Sequence, residues 1–590
     1  MASSGSSATT RHRQRRRSLP VRARTTDISR RLVLVWALLM VAMLGLVGRL
    51  VWLQLVQGDT LNQLAEQQRP LVNQPQPLRY PIVDRQGNVL AVDRLVYTLY
   101  GHPQLFNQPS EQVAVALSPV LQASETELLN QFSRQSTGIR VSDGLTAEVA
   151  NRIRQLRLDG LELLPQQQRF YPQQSLFAPI VGFVNLEGEA QAGLEIAQQE
   201  QLLLPSPEQA DPSLAMVHFQ QAKASLQLTL DSRLQRVAQQ QLEAVVDRHS
   251  AKRGTVMVMD VDTGEMLALA TLPSYDPNQY FKADVSAFRN WAVSDLYEPG
   301  STFKPINIAI ALESGVLSPD ELVNDSGQIQ FGQWRIKNSD FATAGGRGPI
   351  SITDVLKYSS NVGMIRIMQK LPPQDYFAWL QTLGLAETSG SDLPNEAPGQ
   401  IKDREQFIRS KVEPATTAFG QGFSLTPIKM MQLQAALANG GKLVTPHVVS
   451  GLVAEDGTLL WEPEHPAAQP VFSEKTSQAI MTMMEAVVEE GTGEPAQVAG
   501  YRIGGKTGTS QKANPSGGYG SGRITSFVGI LPVEAPRYVV LAVIDEPQGD
   551  NVYGSTIAAP LVKQVIESLV VLGGLPPTNP DAAADTETAN

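Results

Sequence analysis

A serine at a Pro-Gly corner with a lysine three residues later is a pair that can do nucleophilic chemistry. In "YEPGSTFKP" (residues 297–305) the serine is Ser301 and the lysine is Lys304. A helix that starts at Ser301 puts positions i and i+3 on one face, so the Lys304 amine can reach the Ser301 hydroxyl. Serine is a poor nucleophile until a base takes its proton, and a desolvated lysine is such a base. Pro299-Gly300 makes the corner that presents the serine, and Pro305 falls in or just past the first turn, where a missing N–H costs least. The run "IAIALESG" buries the helix and ends it at Gly315. The plainer alternative is a capping serine beside a solvated lysine. Against it, Lys304 is the one lysine of fifteen with a serine three places before it.

Two further stretches can complete such a site. "YSSNVGM" supplies Ser359, Ser360 and Asn361 on a loop between the helix "ITDVLK" and the start of another. A hydroxyl and an amide two positions apart can point one way: Ser359 to relay a proton, Asn361 to hold a peptide group. "GGKTGTS" supplies Lys506, Thr507, Gly508 and Thr509 inside a strand pattern. Small residues at alternate places let a peptide lie alongside such a strand, with Lys506 and Thr509 available to a carboxylate. Each motif alone is weak, and the ordered set is strong. Rival hydrolase designs fit poorly. No Gly-x-Ser-x-Gly elbow occurs, no histidine lies in any motif, and no Glu-x-x-Leu-Asn lies between Ser359 and Lys506.

The elements that position these residues follow from the rest of the 590-residue chain, which is 42% hydrophobic and 18% charged and so mostly globular. It has no cysteine, hence no disulfide or thiolate chemistry, and its six histidines are scattered, so neither metal nor cofactor is expected. The net charge is −10, yet the first 31 residues hold nine arginines and one aspartate: a basic arm on an acidic protein. No aromatic residue interleaves those arginines, which speaks against a nucleic-acid role. "LVLVWALLMVAMLGLVG" (residues 32–48) follows, continued by "LVWLQLV" past Arg49, about enough to cross a hydrocarbon core of roughly 30 Å. No small-residue cleavage site comes after it, so it reads as a retained transmembrane anchor over 32–56. The arginines place the N-terminus in the cytoplasm and the rest outside.

Residues 57–224 read as one mixed, extended domain, with a hairpin around Gln86-Gly87-Asn88 and short amphipathic helices between 104 and 160. A second domain, 225–572, opens with a helix whose apolar positions are Leu234, Val237, Ala238, Leu242 and Val245. A hairpin turns at Asp262-Thr263-Gly264, and three more strands and a helix close the domain. The expected fold is α+β: one antiparallel sheet built from chain-distant halves, with a helical insert from about 300 to 500. The glycine-rich stretch 513–523 reads equally as a mobile loop at the site edge or as a long hairpin turn, and residues 573–590 read as a disordered tail.

Ser-x-x-Lys, Ser-x-Asn and Lys-Thr-Gly in this order resemble the signature of penicillin-binding proteins and serine β-lactamases. The blocks "YEPGSTFKP", "GQGFSLTP", "ALANGGKLVTPH", "EEGTGEPA" and "GGKTGTSQK" look like class B penicillin-binding proteins, the monofunctional D,D-transpeptidases of peptidoglycan synthesis. "PIVDRQGNVLA" and "RFYP…VGFVN…GLE" resemble that family's membrane-proximal pedestal, or dimerisation-type, domain. "SFVGILP" and "YGSTIAAP" look most like the septal, cell-division branch, with the elongation branch and a mainly structural scaffold as alternatives. Ser510, where alanine is frequent, and Ser555, where a second glycine is usual, depart from the pattern. The resemblance implies that Ser301 attacks the carbonyl between two terminal D-alanines of a stem peptide, with Lys304 as base. It implies that Ser359 relays the proton, Asn361 holds the substrate amide, and Lys506, Thr507, Gly508 and Thr509 line the carboxylate site. It implies an amine acceptor on a neighbouring strand, β-lactams as covalent inhibitors, and a membrane-embedded glycan polymerase and other division proteins as partners.

Overall fold

The computed structural model describes residues 26–55, 57, 78–204, 223–513 and 518–578. The N-terminal unit is one helix, Thr26–Leu55, within which Leu32–Trp52 has a mean hydropathy of 2.3 and is long and apolar enough to cross a membrane. The body of the basic arm (1–25), the segment after the helix (58–77) and the end of the tail (579–590) lie outside the described residues.

The second unit holds the expected antiparallel sheet. Its strand order is Gly504–Ala513, Tyr519–Leu531, Tyr538–Asp545, Arg253–Asp260 and Met266–Leu272. The hairpin at Gly264 turns through a φ of +83°, the left-handed conformation that glycine adopts without cost. Both faces of the sheet are buried, which is why its central strands are continuous apolar runs. Val540, Ala542 and Ile544 pack with Leu234, Ala238 and Leu242 of helix Ser232–Arg248 and with Leu561, Val565 and Ile566 of helix Ala558–Leu572. Val539, Leu541 and Val543, on the opposite face, join a core with the insert helices Lys304–Glu313, Pro427–Ala438 and Glu474–Glu490. Each such Val, Leu or Ile side chain contributes roughly 1.5–3 kcal/mol by burial, so the strand alternation fixes which helices lie on which face.

The pedestal hairpin forms as expected, Ile82–Val83 pairing with Val89–Gly101, and Leu161–Phe170 pairs along the other side of the long strand. One relation has no sequence signal. Ile82–Val83 also pairs in parallel with Ser225–Leu228, which pairs with Val449–Val453 from the helical insert. The 224/225 boundary therefore runs through a shared seven-stranded sheet. Asn278 strengthens the join, accepting from Tyr171 N at 3.0 Å and donating to Tyr171 O at 2.9 Å.

One expectation changes, and one of two open readings gains support. Residues 573–578 do not behave as a free tail: Tyr501 Oη donates to Leu575 O at 2.9 Å, Thr578 N donates to Gly500 O at 2.8 Å, and Leu575 packs on the helix-side core. The stretch 513–523 lies mostly within a hairpin, because strands run up to Ala513 and resume at Tyr519; residues 514–517 lie outside the described set.

Candidate active site

Ser301 sits one turn earlier than a helix start would place it. Gly300–Phe303 is a 3₁₀ turn, and the α-helix runs Lys304–Glu313. Pro305 supplies the reason: it has no N–H to give the Ser301 carbonyl, so Lys304 N bonds that oxygen in the tighter i→i+3 pattern. Gly300 carries a φ of +57°, which turns the corner. Phe303 is buried against Phe423, ring centroids 4.8 Å apart, and Gln434 Nε2 donates to Thr302 O at 2.9 Å. The turn is thus pinned from beneath while Ser301 stays half-buried at its surface. The helix ends as expected at Gly315, with a φ of +67°.

Lys304 is fully buried. Its Nζ donates to Asn361 Oδ1 at 2.8 Å, to Ser359 O at 2.5 Å and to Ser359 Oγ at 3.2 Å. The direct Lys304–Ser301 hydrogen bond that helical spacing predicts is not formed; the amine is held by the second motif instead. Burial pushes the Lys304 pKa well below its ordinary value, the nearby Lys506 ammonium lowers it further, and Asp325 and Asp340 oppose the shift. Ser359 adopts a φ of +56°, uncommon for a residue with a side chain. Ser360 caps helix Asn361–Met368 by accepting from Gly363 N at 2.8 Å.

The third motif lies on the edge strand of the sheet. Lys506 pairs with Val528 and Thr509 with Thr525, leaving the other side of Gly504–Ala513 without a strand partner among the described residues. Gly508 is required by close approach: a Cβ there would lie 2.3 Å from Ser526 Oγ, 3.0 Å from Thr302 Cγ2 and 3.2 Å from Pro299 O. The glycine thus lets the strand seat against the Ser301 turn. Ser510 sits on the same face and donates to Glu298 O at 2.9 Å, a tie that alanine would lack. Lys506 is fully buried, donates to Thr507 O at 3.1 Å and Thr507 Oγ1 at 3.2 Å, and is lowered by burial to about 7. Thr507 Oγ1 lies 2.9 Å from Thr492 Oγ1, and Thr509 Oγ1 accepts from Gly554 N at 3.0 Å. Beside the last residues of the strand opens a cleft of about 540 Å³ bordered by Tyr297, Glu298, Gln511 and Lys512.

All the residues singled out from sequence come from the turn, the Ser359–Asn361 loop and the edge strand, and the contacts above join these three elements. Sequence reasoning missed Asn338, whose side chain braces the loop, Lys337, whose carbonyl accepts from Asn361 Nδ2 at 3.0 Å, and Thr492. No spacing rule marks the first two; Thr492 lies in the quoted block "EEGTGEPA". Among the described residues no cluster of three or more metal-ligating side chains occurs, although His447 and His465 stack at 4.0 Å.

Comparison with known proteins recognises both domains. Residues 254–567 match the penicillin binding protein transpeptidase domain, and residues 74–202 match the penicillin-binding protein dimerisation domain. The chain is 39% identical to the peptidoglycan D,D-transpeptidase FtsI homolog of Mesostigma viride, covering 93% of this chain and 97% of that one. It is 28% identical to peptidoglycan D,D-transpeptidase FtsI of Escherichia coli, covering 90% of each. Penicillin binding protein 3 of Mycobacterium tuberculosis, solved in complex with aztreonam, superposes with a TM-score of 0.64 at 27% identity, covering 86% of this chain and 99% of that one. This chain belongs to the class B penicillin-binding proteins, of the FtsI type.

Proposed function

We propose that the chain is a septal peptidoglycan D,D-transpeptidase that cross-links stem peptides through an acyl-enzyme on Ser301. The observation that carries this reading is the meeting of three chain-distant motifs: a buried lysine amine held at 2.8 Å by Asn361, one helical turn from a half-buried serine, beside an unpaired strand edge with a second buried lysine. In the first step Lys304, as the free amine, takes the Ser301 proton while Oγ bonds to the carbonyl carbon of the penultimate D-alanine. The C–N bond then breaks, and the departing D-alanine amine receives a proton relayed through Ser359. In the second step the acceptor amine attacks the ester, gives up a proton along the same route, and Ser301 leaves with its hydroxyl restored. Backbone N–H groups of Ser301 and Thr509 would hold the oxyanion, each worth about 3–4 kcal/mol in the transition state. The Lys506 ammonium with Thr507 and Thr509 would take the terminal carboxylate, and the peptide would lie along the edge strand as an added strand.

The helix Leu32–Trp52 is, among the described residues, the one membrane span in this reading. The basic arm is cytoplasmic, and the second unit lies on the outer, periplasmic side of the cell membrane. The pedestal and span would contact a membrane-embedded glycan polymerase and other division proteins. Replacing residues 32–56 by an unrelated apolar span is expected to weaken that assembly, and unchanged septal localisation would count against it.

The test is intact-mass spectrometry of the full chain in detergent after incubation with penicillin. A stable adduct on the peptide containing Ser301, absent in Ser301→Ala, is expected. Hydrolysed drug without an adduct would replace the transpeptidase by a β-lactamase-like enzyme. Intact drug without an adduct would leave only a scaffold.

A further inference from the structure

The strained Ser359 needs something to hold it, because a non-glycine residue persists in the left-handed region only where its surroundings over-determine it. The brace is a pair of buried side chains that the mechanism above does not use. Asn338 is 4% exposed and Asp325 fully buried. Asn338 Oδ1 accepts from Val362 N at 3.0 Å and from Ser360 Oγ at 3.3 Å, gripping the loop immediately after Ser359. Its Nδ2 donates to both carboxylate oxygens of Asp325, at 2.9 and 2.8 Å. Asp325 also accepts from Gly327 N at 2.8 Å. The amide of Asn338 is therefore fixed in one orientation: its acceptor faces the catalytic loop because its donor is committed to a carboxylate. The neighbouring carbonyl, Lys337 O, accepts from Asn361 Nδ2 at 3.0 Å, which turns Asn361 Oδ1 toward Lys304.

We propose that Asp325 and Asn338 are positioning residues for acyl transfer: through Asn338, the buried Asp325 carboxylate fixes the Ser359–Asn361 loop against Lys304 Nζ, and its negative charge acts on that amine through space. This rests on the transpeptidase reading above. Among the described residues, the charged groups that act most on Lys304 are three. Lys506 on the edge strand drives its proton off, and Asp325 and Asp340 hold it on. Arg347 pairs with Asp340 and lies 3.9 Å from Asp325, so it tempers both carboxylates. Asp325 is the one of the two acids that also grips the loop, so one residue sets both the geometry of the amine's acceptors and part of its proton affinity.

The test uses the full chain in detergent and follows acylation by a fluorescent penicillin across acid to alkaline pH. Asp325→Asn sets two amides face to face and removes the charge. It is expected to slow acylation about 10- to 100-fold through the loosened loop. With less negative charge nearby, Lys304 sheds its proton more readily, so the acid limb moves to lower pH. Asp325→Asn with Asn338→Asp reverses donor and acceptor but restores the pair, because an aspartate at 338 accepts from Val362 N, Ser360 Oγ and the new amide alike. It is expected to regain most of the rate and to move the limb back up. An unchanged rate and limb in Asp325→Asn would overturn the inference. So would a rate loss with an unmoved limb, or a double variant no faster than the single one. If the single variant fails to fold, Asp325→Glu, which keeps the charge but shifts the carboxylate off Asn338, decides instead: a slowed rate with an unmoved limb is expected, and an unchanged rate would overturn the inference. A wild-type chain that forms no adduct would sink the transpeptidase reading, and this inference with it.

Discussion

Lys304 Nζ donates to Asn361 Oδ1 at 2.8 Å, so the first motif's lysine is anchored by the second motif's amide rather than by the serine beside it. The amine is thereby held in a fully buried place, where its charged form is disfavoured, with a second buried lysine nearby.

That pairing predicts a bell-shaped pH profile for the second-order acylation rate, which reports the free enzyme. Lys304 works as the free amine, so the rate rises as Lys304 deprotonates, well below the ordinary lysine range. Lys506 works as the ammonium, so the rate falls as pH climbs through about 7, where burial has moved it. Lys506→Arg keeps its charge at alkaline pH and is expected to abolish the alkaline limb. An unmoved limb in that variant would remove Lys506 from carboxylate binding.

Gly508→Ala should damage the site without unfolding the protein. The new Cβ would sit 2.3 Å from Ser526 Oγ and 3.0 Å from Thr302 Cγ2, forcing the edge strand away from the Ser301 turn. A displacement of that size is expected to cost about 100-fold in acylation, with little change in Tm. Adding Ser526→Gly clears the tightest contact and is expected to recover part of the rate. Wild-type acylation in Gly508→Ala would show that strand and turn move independently.

Much of this was legible in the sequence because alternation and turn chemistry are local. The hairpins at Gln86–Asn88 and Asp262–Gly264, the strand carrying Lys506 and the helix ended by Gly315 all follow from short-range signals. The Ser301 turn differs from the helix start that spacing predicts because the i,i+3 pattern does not distinguish a 3₁₀ start from an α start; Pro305 decides it. The brace at Asn338 was invisible because its partners lie 13 residues before it and more than 20 after it, on different elements. The sheet shared by Ile82–Val83, Ser225–Leu228 and Val449–Val453 was invisible for the same reason: strand pairing is set by packing, and nothing in one strand names its neighbour.

The pedestal depends on a buried ion network. Arg169 Nε donates to Glu195 Oε1 at 2.7 Å, Arg79 Nη1 reaches Glu195 Oε2 at 3.4 Å, and Asp93 accepts from Arg169 Nη1 at 3.1 Å. The Glu195 side chain is 0% exposed and that of Arg169 2%. Glu195→Ala leaves two buried guanidinium groups short of counter-charge and is expected to destabilise the protein by about 3–5 kcal/mol in chemical denaturation. A loss near zero would mean that water or Asp93 takes over the charge.

Ser359 separates stability from activity. Its φ of +56° strains any residue with a Cβ, whereas glycine adopts it freely. Ser359→Ala and Ser359→Gly both delete the hydroxyl that lies 3.2 Å from Lys304 Nζ, and both are expected to lose about 100- to 10,000-fold in transpeptidation as the proton relay fails. Their stabilities should diverge, because only the glycine variant relieves the backbone: it is expected to exceed the alanine variant by about 1 kcal/mol in denaturation midpoint analysis. A glycine variant that keeps full activity would show that the Ser359 carbonyl, at 2.5 Å from the lysine, is the group that matters and the hydroxyl is not. Equal stabilities would mean that the loop relaxes out of the left-handed conformation once the hydroxyl is gone.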